Sequence, residues 1–426
     1  MTIAFLFGSL ILYIALNIPI AISLGLSALT TLIFASNVSY GMIVQQAATS
    51  LNSFPIMAIP FFMLAGILMS KAGISKRLLN LANALVGSFT GGLAQATILA
   101  SMFFSAISGS GPATVAAIGS FMIPTMKDNN YDKGFAASIT ATAGSIGVII
   151  PPSIPFVVYG ITGEVSIGAM FLAGIIPGII IGLMLMIFSY IISKKNNYSA
   201  VYKRVGIKGL IKAINDAKWA LMIPIVVLGG IYGGIFTPTE AAVIAVVYAI
   251  FVGLFVYREM SLKDLYDGFA ESCLVAGTTM VIIALAISFS YLMTVEQVPR
   301  TIANFITNFS ENKLVILLLI NVFLIFVGAF IDTISAIIVL TPMLLPVVTQ
   351  VGVDPVHFGV ILVANLAIGF VTPPVGVNLF VASNIGLVSI ERIVRSIIPL
   401  FIALIISLIL ITYIPFLSTF LPEFFL

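Results

Sequence analysis

Four short stretches of this chain carry the residue types that hold a small cation or a small anion. They are Ser108-Gly109-Ser110-Gly111, Gly147 through Ser153, Ile331-Asp332-Thr333-Ile334-Ser335, and Gly369 through Asn378. Each is rich in glycine, proline, hydroxyls or amides, and each lies between apolar runs. A helix interrupted there leaves N–H and C=O groups without intrahelical partners, and lipid satisfies neither. Carbonyl and hydroxyl oxygens suit a hard cation such as sodium, whereas the N-terminal ends of half-helices suit an anion. The expected sodium ligands are Ser108, Gly109, Ser110, Gly111 and Gly147 in the first half, and Asp332, Thr333, Gly369, Thr372 and Pro373 in the second. The expected substrate contacts are Ser108, Thr114, Ser153, Ser335 and Asn378. The competing reading is that the four breaks are kinks and tight turns repaired by neighbouring side chains.

Asp332 is the only carboxylate in the apolar run 314–350. A charge at bilayer depth costs at least ~2.5 kcal/mol even on lenient scales, so an intramembrane acid points to function. It could also simply cap a returning helix. No Lys or Arg lies deep in any span, so an anionic substrate would rest on helix ends, hydroxyls and amides, with sodium as its countercharge. His357 is a lone histidine near the start of its segment and fits a structural role better than a proton relay. Glu240 follows Thr239 where a helix begins and suits N-terminal stabilisation. Trp219 stands where an interfacial anchor belongs. There is no G-x-x-x-x-G-K-[ST] phosphate loop, nucleophile triad or metal-hydrolase motif, and no enzyme is expected.

The four stretches are two, written twice. Gly147-Val148-Ile149-Ile150-Pro151-Pro152 recurs as Gly369-Phe370-Val371-Thr372-Pro373-Pro374, 222 positions later. At the same offset Pro124 matches Pro346, Asp132 matches Asp354, Ile146 matches Ile368 and Ser110 matches Asp332. Near the repeat starts, 17–21 pairs with 236–240 at an offset of 219. Duplicated hydrophobic units interrupted at corresponding Gly/Pro positions mark a secondary transporter with its site at the repeat interface.

Of 426 residues, 61% are hydrophobic and 8% charged, against about 25% charge in a soluble domain. Spans sufficient for a bilayer core of about 30 Å follow one another along the chain, and the alternation of an outer-membrane barrel is absent. The start Met1-Thr2-Ile3-Ala4-Phe5 lacks the basic region of a cleaved signal and is expected to begin a membrane helix. The single Cys273 excludes an intrachain disulfide and any cysteine metal cluster. The net charge of +3 reflects loop lysines and arginines rather than a nucleic-acid surface.

The expected fold is an all-α polytopic membrane protein with two inverted-topology repeats, re-entrant hairpins and broken helices. In the first half, helices are expected at roughly 3–17, 19–35 and 55–71, an amphipathic stretch at 76–90, a hairpin at 92–126, a broken segment at 133–162 and a helix at 166–193. The second half repeats this at 217–236, 238–257, 274–294, 298–311, 313–350, 355–388 and 391–416. If the hairpins re-enter and the five other long elements cross, each half crosses an odd number of times and the halves are inverted. Placing the basic central loop in the cytoplasm then puts every one of the 18 basic residues inside except Arg300 and Lys313, as the positive-inside rule requires. Both termini fall outside.

At these residues the chain resembles the large membrane subunit of tripartite ATP-independent periplasmic (TRAP) transporters. The resemblance is carried by 53–66, 106–119, 234–242 and 372–378 and extends over nearly the full length. It implies an elevator-type, sodium-coupled importer of organic acids in the bacterial inner membrane. It further implies a small four-helix membrane partner and a soluble periplasmic binding protein that delivers substrate. The two repeats use all the apolar spans and leave none for a fused small subunit. On this resemblance 1–75 and 217–297 form the scaffold, 76–90 and 298–311 the amphipathic arms, and 91–193 and 312–426 the transport part, with 194–216 a cytoplasmic loop. Sialic acid and C4-dicarboxylates are the substrates the resemblance suggests, with a slight lean to sialic acid; no cofactor is implied beyond the coupling ion. A stand-alone sodium–dicarboxylate symporter with the same hairpins is the alternative. A membrane-embedded enzyme or channel is disfavoured by the scarcity of buried His, Cys and acids.

Overall fold

The computed structural model describes residues 2–36, 38–202, 205–302 and 312–426. Among them the regular structure is entirely helical. Six helices are long and apolar enough to cross a membrane, seven if one bent pair counts as a single span. The first half comprises α1 (Thr2–Ala15), α2 (Ile20–Phe34), α3 (Tyr40–Leu51), α4 (Ala58–Lys71), α5 (Ile74–Val86), α6 (Gly92–Ser108), α7 (Gly111–Asp128), α8 (Lys133–Ser145), α9 (Ile154–Thr162) and α10 (Ile167–Lys195). The second comprises α11 (Ile207–Tyr232), α12 (Pro238–Phe251), α13 (Leu262–Val295), α14 (Lys313–Gly328), α15 (Thr333–Gln350), α16 (Pro355–Gly369), α17 (Val377–Gly386), α18 (Ile390–Tyr413) and α19 (Phe416–Phe425).

Several boundaries differ from the sequence expectation. The expected helix at 55–71 is present as Pro55–Lys71, but it is preceded across a 60° bend by α3, which was not expected. The counterpart of this pair is not 274–294 but the unbroken 34-residue α13. Pro55 lacks an N–H and so cannot continue the hydrogen-bond ladder of a helix arriving from α3; 222 positions later stands Gly277, which α13 accommodates. Gln45, Gln46, Thr49 and Ser50 in α3, and Lys263, Asp264, Asp267 and Glu271 in α13, hide these helical turns from a hydropathy reading. Likewise α11 starts at Ile207, so the expected loop 194–216 is helical over its last ten residues. A terminal helix, α19, packs against α10 and was not expected. Of the second arm only 298–302 lies in the described residues; 303–311 lies outside them.

The second part of each repeat has the same plan. A hairpin (α6–α7; α14–α15) is followed by a broken helix (α8–α9; α16–α17) and a long helix (α10; α18). The repeats interlock. The second half of each broken helix packs on the returning helix of the other repeat's hairpin, α9 on α15 and α17 on α7. Helices α4 and α13 meet hairpin helices α6 and α15 respectively. Exposed Ile11, Phe34, Val44 and Ile225 lie on the outer helices. In a bilayer such residues face lipid, which is as apolar as they are.

Candidate functional site

The hairpin tips arise where the sequence can turn and then restart a helix. In the first repeat α6 ends at Ser108, and Gly109 follows at φ +60. That left-handed backbone is open to glycine at little cost. Ser110 then caps α7, its Oγ accepting from Ala113 N at 3.5 Å. At the matched position of the second repeat, Asp332 caps α15, Oδ2 accepting from Ser335 N at 3.0 Å. Thus the two residues aligned by the repeat hold the same structural place, one with a hydroxyl and one with a carboxyl group.

Around the first tip the polar atoms satisfy one another. Ser108 Oγ and Thr114 Oγ1 lie 3.0 Å apart, and Thr114 Oγ1 donates to Ser110 O at 2.8 Å. The broken helix closes over this cluster. Gly147 brings its backbone so near that a Cβ there would lie 2.6 Å from Ser110 O and 2.7 Å from Thr114 Oγ1. Ile154 N donates to Gly109 O at 3.4 Å. Ser153 Oγ donates to Val148 O at 2.5 Å and accepts from Phe156 N at 3.5 Å, spanning the Pro151–Pro152 step. Ser108, Gly109, Ser110, Thr114, Gly147 and Ser153 therefore form one cluster. Gly111 faces elsewhere: its Cα lies against the Phe370 ring of the second repeat and the carbonyl of Gly144.

The second repeat uses the same backbone contact with fewer stitches. Gly369 abuts the Gly328 carbonyl so closely that no Cβ fits. Val375 N donates to Ala329 O at 3.2 Å, and Thr372 Oγ1 donates to Ile368 O at 2.8 Å. Pro373, Pro374 and Val375 are exposed, whereas Pro151, Pro152 and Ser153 are buried. Asp332 is half-buried, Thr333 buried. Among the described residues, four buried side-chain atoms of this repeat have no hydrogen-bond partner, Ser335 Oγ, Thr341 Oγ1, Asn365 Oδ1 and Asn378 Oδ1, of which Ser335 lies at the hairpin turn and Asn378 at the helix break. The Asn378 amide nitrogen donates across the repeat interface to Ala141 O at 3.1 Å. A buried acceptor left unpaired costs about 1–3 kcal/mol, so such an atom suits a ligand that arrives later.

A cavity of about 580 Å³ lies between the first hairpin and helices α4 and α13. Of the expected substrate residues only Ser108 reaches its wall, joined there by Ser110 from the sodium set. Thr114, Ser153, Ser335 and Asn378 are not at this wall. Helices α4 and α13 supply what the sequence reading missed: Gly66, packed against Ser108 Cα, Ser70, and the ion pair Lys71 Nζ–Glu271 at 3.4 Å. Lys71 could not be placed there from sequence, because the facing helix lies 200 residues away.

A second buried polar set also went unforeseen. Asn365 Nδ2 donates to Asn321 Oδ1 at 2.8 Å, and Asn321 Nδ2 to Thr412 Oγ1 at 3.0 Å. His357 pairs with Ser418 Oγ at 2.6 Å and with the Thr412 carbonyl at 3.2 Å. The set ties α14, α16, α18 and α19 together. An isolated asparagine in each of two apolar runs was the available signal. Glu240 closes a capping box with Thr237 at the start of α12.

The sequence matches the family model described as the tripartite ATP-independent periplasmic transporter, DctM component, over residues 7–417. It is 51% identical over 96% of its length to the isethionate TRAP transporter permease protein DctMQ of Oleidesulfovibrio alaskensis, and spans 65% of that relative. It is 42% identical to the C4-dicarboxylate TRAP transporter large permease protein DctM of Pseudomonas aeruginosa, covering 94% of each. To the sialic acid TRAP transporter large permease protein SiaM of Vibrio cholerae it is 40% identical, covering 99% of this chain and 98% of that one. The fold resembles the crystal structure of the Alcanivorax borkumensis YdaH transporter, with a TM-score of 0.56, 13% identity, and 86% and 88% of the two chains covered.

Proposed function

The chain belongs to the DctM family of tripartite ATP-independent periplasmic transporters, and on that premise we propose that it moves a small organic anion inward across the bacterial inner membrane, coupled to sodium. It acts as the large membrane subunit, beside a small membrane subunit and a periplasmic binding protein. It performs no covalent chemistry. The observation that carries this reading is the second-repeat site. There a half-buried carboxylate, Asp332, and the unpartnered buried oxygens of Ser335 and Asn378 stand beside two helix breaks. Oxygen donors of this kind suit sodium, and the N-termini of α7, α9, α15 and α17 suit an anion. Both termini lie in the periplasm, on the charge distribution, and the hairpins with their broken helices move as the elevator against the scaffold.

The relatives are named for isethionate, C4-dicarboxylate and sialic acid, three anionic classes, and the highest of these identities favours a small sulfonate over the larger sialic acid. The test is uptake into proteoliposomes holding both membrane subunits, with the binding protein added, for isethionate, succinate and N-acetylneuraminate separately. Uptake of one of these under an inward sodium gradient, lost when potassium replaces sodium, is expected. Undiminished uptake on a proton gradient alone would overturn the coupling. Uptake without any binding protein would return the stand-alone symporter.

A further inference from the structure

The arm helix α5, scaffold helix α11 and the turn after α12 enclose a cavity of about 510 Å³ that has no part in the site above. Its wall carries Lys76 and Arg77 from α5, Lys218 and Trp219 from α11, and Tyr257 and Glu259 from the turn. Arg77 is already engaged: its guanidinium pairs with Glu259 at 2.8 Å and lies 3.7 Å from the centre of the Tyr257 ring. Lys218 bonds the neutral Asn215 at 3.0 Å and lies 5.9 Å from the centre of the Trp219 ring, and among the described residues Lys76 is exposed with no ion pair. One further carboxylate, Asp216, lines the wall. With Arg77 and Glu259 cancelling, two ammonium groups face one carboxylate, a balance that a single phosphodiester completes.

Below the cavity the surface turns apolar. Met222 and Ile225 follow Lys218 at helical spacing on α11 and are 41% and 60% exposed; Phe251 and Phe255 on the neighbouring element are 49% and 64% exposed. Trp219 and Tyr257 sit at the boundary between the charged wall and this apolar strip, the place of interfacial aromatics. A charged pocket, then aromatics, then open apolar wall, is the profile of a lipid rather than of a soluble anion. We propose that this cavity binds the phosphodiester headgroup of an anionic phospholipid, whose chains run down the α11–α12 face. Bound there, the lipid joins the arm helix to the scaffold. This holds whichever substrate the protein carries.

Detergent-purified protein is delipidated and its thermal unfolding followed with added phosphatidylglycerol, phosphatidylcholine or glycerol 1-phosphate. Phosphatidylglycerol is expected to raise the midpoint by several degrees and the other two far less. Lys76→Gln with Lys218→Gln is expected to abolish most of that shift. Lys194→Gln with Lys195→Gln, an equal loss of charge at the end of α10, is expected to keep it. An equal shift with phosphatidylcholine, or one that survives the pocket double variant, overturns the site. An equal shift with glycerol 1-phosphate overturns the lipid assignment. If the double variant does not fold, each single variant is compared by native mass spectrometry, where retained phosphatidylglycerol equal to the parent's again overturns the site.

Discussion

The two helix breaks share a backbone but differ in closure. At 147–153 the break is buried, Ser153 stitches it to Val148, and the hydroxyls of the facing hairpin bond one another. At 369–375 the equivalent of Ser153 is Val375, three residues are exposed, and Ser335 Oγ and Asn378 Oδ1 are unpartnered. The first break is closed by its own hydrogen bonds; the second leaves the buried oxygens of Ser335 and Asn378 without a protein partner. An internal duplication thus yields two breaks of one plan and different closure, which differ in sequence at Ser110 against Asp332 and Ser153 against Val375.

What they hold in common is tested by the largest expected effect. Gly147→Ala drives a methyl to within 2.6 Å of a backbone carbonyl, and Gly369→Ala meets the Gly328 backbone more closely still. Neither neighbour is a side chain that can swing away. Each variant is expected to lose about 1–3 kcal/mol of stability, as overpacked cores do, and nearly all uptake. Melting and uptake assays on both would break the comparison if only one glycine mattered.

Asp332 comes next, because the charge is where the repeats part. Asparagine is as good an N-cap as aspartate, so Asp332→Asn should melt like the parent. It should still need at least roughly tenfold more sodium for half-maximal uptake, equivalent to ~1.4 kcal/mol. Asp332→Ala should add a stability loss of about 1 kcal/mol. Parent-like sodium dependence in the asparagine variant would reduce Asp332 to a cap. Ser153→Ala, by contrast, should cost about 1 kcal/mol of stability while leaving half-maximal sodium within a factor of about two, since its hydroxyl is spent on Val148 and Phe156. A sodium shift there as large as that of Asp332→Asn would make the first break an ion site of equal weight.

The sequence made the duplication and the breaks legible because both depend on local chemistry: glycine and proline interrupt a helix wherever they stand. All four breaks are found where Ser108–Gly111, Gly147–Ser153, Ile331–Ser335 and Gly369–Asn378 put them. Hydropathy failed where helices are polar on one side, as in α3, the first turns of α11 and the start of α13. It failed equally for partners far apart in the chain, such as Lys71 with Glu271 or Asn321 with Asn365 and Thr412. Those pairings exist only once the repeats are packed. Nor could residue types alone separate Ser153, whose hydroxyl is consumed by its own turn, from Ser335, whose hydroxyl is left over.

The smallest expected effect concerns the matched caps Asp132 and Asp354. Both accept from the N–H three residues on, at 2.9 Å, but only Asp132 also holds an arginine, Arg392 of the other repeat, at 2.6 Å. Burial pushes the Asp132 carboxyl up, yet the Arg392 guanidinium and the Phe135 and Gly134 amides outweigh it and leave it below the usual range. A carboxyl lowered on folding stabilises above its unfolded value, near 3.9, and that stability is lost as pH falls through the folded value. Both partners are substantially exposed, so Arg392→Gln should cost less than about 1 kcal/mol at neutral pH and low salt. The difference from the parent should shrink in high salt and vanish once acid protonates Asp132, whereas Asp354→Ala should cost about 1 kcal/mol whatever the salt. Melting midpoints at two salt concentrations and across the acid range measure both. An Arg392→Gln deficit that persists in acid and high salt would mean that the arginine stem's packing, not its charge, joins the repeats at this edge.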